Sequence, residues 1–138
     1  MSATYQQAVD DMFGLVRTAW NSDSTIDWEA VPGEVPFTDV PWIRPTIRHT
    51  PGGQASLADG TRKRRWRRNG ILWIQLFVPS GSGLSKAYEL AKILTDAIEG
   101  TSTEHCVWFR NTRINEIGRS GAFNQLNVLT DFTYDEIK

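Results

Sequence analysis

The chain has 138 residues, 40% hydrophobic and 22% charged, enough for one hydrophobic core and too apolar for wholesale disorder. No run of about 18 apolar residues occurs, so no membrane-spanning helix is expected, and the acidic, polar start MSATYQQAVDDMF lacks the order of a secretory signal. The lone Cys106 excludes an internal disulfide framework, which suits a reducing cytoplasm.

Tyr5, Ala8, Val9, Met12, Leu15, Val16, Ala19 and Trp20 recur at three- and four-residue spacing and predict a helix over 5–20. Thr4 and Gln7 fit a capping box at its start. Residues 21–41, with Pro32, Pro36 and Pro41, read as an extended arm. Residues 42–49 predict a strand with Ile43 and Ile47 on one face and Arg44, Thr46 and Arg48 on the other. Pro45 cannot donate to a ladder, so this strand is expected at an edge or at a bulge. The glycine-rich stretch 50–61 then joins it to a longer strand, RKRRWRRNGILWIQLFVP, as a hairpin.

A Pro/Gly turn leads into a second helix from about Ser82–Ser85. Its apolar stripe is Leu84, Ala87, Tyr88, Ala91, Leu94 and Ile98, and Gly100 is its stop. Two more strands are expected, near 105–117 and 122–134. In the last, Leu126, Val128, Phe132 and Tyr134 alternate with Gln125, Asn127, Asp131 and Thr133, as in a strand with one wet face. The order helix-strand-strand-helix-strand-strand predicts an α+β fold: a single domain over 1–138, with an antiparallel or mixed four-stranded sheet and both helices on one face. The arm at 21–41 and a mobile hairpin tip at 50–68 are its two projections.

Little in the chain suggests catalysis. Gly81-Ser82-Gly83 precedes a helix, yet GSGLSK matches neither the GxxxxGK[ST] phosphate loop nor GxGxxG, so it reads as a plain turn. His49, His105 and Cys106 make at most a partial metal site, and the acids are scattered singly rather than paired for acid/base work. No enzyme activity, catalytic residue, metal or cofactor is expected.

Charge is the strongest signal. Net charge is −1, yet residues 62–68 carry six of the 15 basic side chains, leaving nine against 16 acids and a balance of −7 elsewhere. Asp10, Asp11, Asp23, Asp27, Glu29, Glu34 and Asp39 face only Arg17 in the first 40 residues. The run Arg62, Lys63, Arg64, Arg65, Trp66, Arg67 and Arg68 is either a solvated tip, a grip on nucleic acid phosphates, or a contact with the acidic region of a neighbouring copy. The strand Ile71–Val78 is apolar on both faces. Helices cover one, so the other, carrying Trp73 and Phe77 (or Leu72, Ile74 and Leu76), needs the arm or a subunit contact. Six tryptophans agree with the second option.

The stretches VPFTDVPWIRPTIRHTPGGQASL, RRWRRNGILWIQLFVPSGSGLSKAYELAKIL and GAFNQLNVLTDFTY resemble the phage tail terminator-like family over nearly the whole chain. That resemblance implies a virion protein of a long-tailed phage, assembled in the host cytoplasm, at the head-proximal end of the tail. Its implied state is a hexameric ring on the last ring of the major tail tube protein, which stops polymerisation and offers a surface to head-completion and neck proteins. Genomic DNA would pass its channel transiently, and no membrane is involved. The basic run, Trp73 and Phe77 are the expected interface, and the seven acids its counter-surface. The alternative reading is a sequence-independent nucleic-acid-binding module using residues 62–68.

Overall fold

The computed structural model describes residues 3–21, 25–28, 40–54 and 63–138. Helix α1 runs Tyr5–Trp20 and opens on the expected capping box: the Thr4 hydroxyl accepts from the Gln7 amide at 3.2 Å, and the Gln7 side chain accepts from the Thr4 amide at 3.0 Å. Its C-cap is Asn21 in the left-handed region (φ 58), a conformation asparagine tolerates better than most residues. Strands β1 (Trp42–Gln54) and β2 (Arg65–Pro79) form the long hairpin. A single 3₁₀ turn, Ser80–Ser82, leads to α2 (Leu84–Ile98), and strands β3 (Trp108–Ser120) and β4 (Phe123–Ile137) form a second hairpin.

All pairings are antiparallel and the strand order is β1-β2-β4-β3. The two longest strands therefore lie at the centre, paired over their whole length from Arg65↔Ile137 to Pro79↔Phe123. Of the two positions Pro45 allows, β1 takes the edge of the sheet, and it also carries a bulge between Thr50 and Gly53. Outside β1, Ile26 adds a parallel bridge to Ile43, and the Asp27 amide donates to the Ile43 carbonyl at 2.9 Å.

Both helices cover the same face of the sheet. Ala8, Met12 and Val16 of α1 join Ala87, Ala91, Leu94 and Ile98 of α2 over Ile43, Leu72, Ile74, Leu76, Val78, Leu126, Val128 and Phe132. The period-2 alternation of the central strands thus points one complete set of side chains into the core. Two expectations needed correction. Leu84 and Tyr88 are 52% and 36% exposed rather than buried, because the first turns of α2 overhang edge strand β3. Gln125 and Thr133, expected on a wet face, are 9% and 2% exposed. Among the described residues, no helix is long and apolar enough to cross a membrane.

Candidate interaction surface

The basic segment is not one projecting tip. Strand β2 starts at Arg65, so the last four residues of the run stand in the sheet's central ladder rather than in a loop. Strand alternation then divides them between the two faces. Arg65 and Arg67 point away from the helices and share Asp135 of β4, at 3.9 and 3.2 Å. Arg68 points to the helix side, bonds Glu136 at 2.9 Å and lies over the rings of Tyr5 and Trp66. Its bond to Glu136 holds the Arg68 guanidinium even more firmly charged than usual. Lys63 and Arg64 are exposed, and the Arg64 and Lys138 backbones exchange a pair of hydrogen bonds at 2.9 and 3.0 Å. Arg62 lies outside the described residues.

Three of the seven acids of the expected counter-surface are among the described residues. Asp27 pairs with Arg44 at 2.7 Å. Asp11 accepts from the His105 backbone amide at 3.0 Å and from its ring Nδ1 at 3.0 Å. Asp10 is exposed, and Asp23, Glu29, Glu34 and Asp39 lie outside the described residues. Phe77 is not an open anchor. It is 9% exposed, stacked on Trp42 at 4.2 Å, edge-on to Phe123, and capped by Arg44. Trp73 is half-buried beneath Arg48.

The tertiary structure adds arginines the linear reading did not connect. Arg44 and Arg48 of β1 share the face of Arg65 and Arg67, as their ladder positions opposite Gln75 and Ile71 require. On β3, Asn111 sits at φ 55 in a bulge between Arg110 and Arg113. That extra residue breaks the alternation, so Arg110 and Arg113, three apart, both face the same way. Trp108 lies under Arg67 and is 37% exposed. A separate apolar area lies at the other edge. Glu116 of β3 raises the pKa of the Tyr88 hydroxyl, so exposed Leu84 and Tyr88 of α2 lie on the side of β3, whose Ile114 and Ile117 are 36% and 47% exposed. On the opposite flank of α2, Trp20, Val40, Pro41, Leu90 and Ile93 line a groove of about 380 Å³.

The two histidines sit in opposite electrostatic settings. Asp11 raises the pKa of His105, while burial followed by the charge of Arg68 lowers that of His49. Burial works to raise the Asp11 carboxyl, but hydrogen bonds from Thr103 and His105 outweigh it and leave it lowered. Burial raises the pKa of the Tyr134 hydroxyl, which shares a hydrogen bond with His49 Nε2 at 2.7 Å. A folded pKa raised above about 6.5 makes the His105 contribution complete below that pH and lost as pH rises through the folded value. A lowered one makes the His49 contribution fade as pH falls below about 6.5. The His105→Gln variant is therefore expected to melt below wild type at pH 5.5 and to converge on it at pH 8.5. An equal deficit at both pH values removes the charged pair. Asp11, Glu104 and His105 also bring ligand atoms within 4.8 Å of one another, but the Asp11 oxygens are already committed to His105.

No family model matches the chain, and no curated protein matches it. Among solved structures, one chain aligns with a TM-score of 0.61 at 14% identity, over 91% of this chain and 94% of its own. A chain of the virion of a native gene transfer agent particle aligns with a TM-score of 0.54 at 14% identity, over 96% of this chain and 99% of its own. At that identity the likeness is one of fold: the helix-backed sheet ordered β1-β2-β4-β3 matches, from end to end, a chain found in a virion.

Proposed function

We propose that this protein is a non-enzymatic structural subunit of a tailed-phage-type virion, and within it a ring-forming tail terminator. The observation that carries the reading is the end-to-end match to a virion chain; the sequence resemblance to the terminator-like family points the same way. Its surface agrees with a subunit that meets copies of itself. One edge of the sheet carries exposed Leu84, Tyr88, Ile114 and Ile117, and the opposite flank of α2 carries the Trp20–Ile93 groove. Two different patches on the two flanks of α2 give head-to-tail contacts, which close into a ring when the rotation permits.

In this reading the ring, a hexamer, seats on the last ring of the tube protein and presents its other side to neck proteins. Assembly is a stop reaction made of surfaces: the far side of the ring lacks what a further tube subunit needs. Lys63 and Arg64, exposed just ahead of β2, meet acids of the next copy, Asp10 among them. Sedimentation and mass photometry, with and without tail tubes, test the proposal. Rings alone or on tube ends are expected, and Lys63→Ser with Arg64→Ser should weaken them as high salt does. A chain that stays monomeric at high concentration and never joins a tube end refutes it.

A further inference from the structure

We propose that the apolar edge formed by α2 and β3 on one copy seats in the groove on the other flank of α2 on the next copy, with Glu116 of the first against Lys86 of the second. The inference rests on the ring reading and names the two surfaces that meet. Strand register assembles the first of them. Ile114 lies opposite Val128 and Glu116 opposite Leu126, and both partners point into the core beneath the helices, so Ile114 and Glu116 face the helix side of β3. Ile117 sits in the bulge between Glu116 and Gly118. Leu84 and Tyr88, four apart on α2, stand on one side of that helix, and Glu116 is close enough to Tyr88 to raise the pKa of its hydroxyl. Exposed Leu84, Tyr88, Ile114 and Ile117 thus accompany one carboxylate.

The groove has the complementary make-up. Trp20, Val40, Pro41, Leu90 and Ile93 line it, and among the described residues Lys86 is the charged member of its wall. Its volume of about 380 Å³ exceeds the roughly 150 Å³ in which a dry cavity takes up benzene, which leaves room for a branched side chain such as Ile117. Lys86 keeps 45% of its side chain exposed, and its pair with exposed Glu89 is a long one, 3.9 Å. Charge then selects the pairing. A two-fold contact of either surface with its own copy would set Glu116 against Glu116 or Lys86 against Lys86, and like charges brought together at an interface are costly. Edge against groove sets a carboxylate against an ammonium and buries apolar surface on both sides. Because the two surfaces lie on different flanks of one helix, each copy offers its second surface to a further copy, and the contacts run head to tail.

The test is charge reversal in the full chain, read by mass photometry in solution and, where rings form only there, on tube ends. Lys86→Glu gives a copy negative on both surfaces, and Glu116→Lys gives a copy positive on both. Each alone should need at least about tenfold more protein than wild type for half-assembly. Mixed one to one, the two should assemble again, to within about threefold of wild type, because alternating copies present opposite charges at every contact of an even ring. Both side chains are exposed, so each variant should keep the wild-type circular dichroism spectrum. Ile117→Asp, placed in both members of the mixture, should abolish the recovery. Single variants that assemble like wild type, or that fail and do not recover on mixing, overturn the inference and leave the ring standing. A wild-type chain that stays monomeric alone and at tube ends overturns both.

Discussion

Replacing Gly70 with alanine is expected to cost more than about 3 kcal/mol, above the usual range for an added methyl group in a packed site. A Cβ there would stand 2.4 Å from the Arg48 carbonyl oxygen and 2.4 Å from Cζ of Phe132. Neither neighbour can retreat cheaply. The carbonyl belongs to the β1–β2 ladder beside His49↔Gly70, and the Phe132 ring is fully buried. With total stability of about 5–15 kcal/mol, that loss should lower the melting temperature by roughly 10 °C or more. Gly53→Ala is the internal control: nothing lies within 4 Å of its would-be Cβ, so the smaller entropy of the unfolded chain should leave it neutral or slightly stabilised. A Gly70→Ala protein melting with wild type would mean that Phe132 does not pack on the β2 backbone.

Phe132→Ala is expected to be comparably damaging, at about 3–5 kcal/mol. The ring is at 0% exposure, stacks on Tyr134 at 6.1 Å and meets His49 edge-on at 5.2 Å. Its removal leaves a cavity beneath the two central strands and loosens the support of the Tyr134–His49 hydrogen bond. Because the Gly70 Cβ and the Phe132 ring contest one space, the two substitutions should not add. The Gly70→Ala, Phe132→Leu double variant should be more stable than the sum of the singles predicts, by an amount a double-mutant cycle reads directly. Strict additivity in urea unfolding would place the two residues in separate environments.

These effects centre on the interior, where sequence and structure agree best. Helix α1 and its capping box, the element order, and the β4 core positions Leu126, Val128 and Phe132 follow from local periodicity, since each depends only on which residues share a face of one element; β2 is apolar on both faces, and only packing put Leu72, Ile74, Leu76 and Val78 in the core. Pro45 narrowed β1 to an edge or a bulge, and the strand order put it at the edge. Tyr88 escaped that logic because its burial depended on where α2 ends relative to β3, which spacing along the helix does not encode.

The surface was far less legible. The run Arg62–Arg68 stood out because its charges are adjacent in sequence, yet adjacency in a strand means opposite faces, and Arg67 and Arg68 ended on two sides of the sheet with different acids. Arg110 and Arg113, three apart, would face opposite ways in a regular strand, and a left-handed Asn111 supplies the bulge that aligns them. Phe77 looked like an interface anchor but found Trp42 and Phe123 within its own chain. The sequence by itself determined the elements, their order and the buried faces of α1 and β4, because hydrophobic periodicity is a local property of each segment. Only the tertiary structure decided which arginines share a surface and which acids neutralise them, because strand order and register bring together residues far apart in the chain.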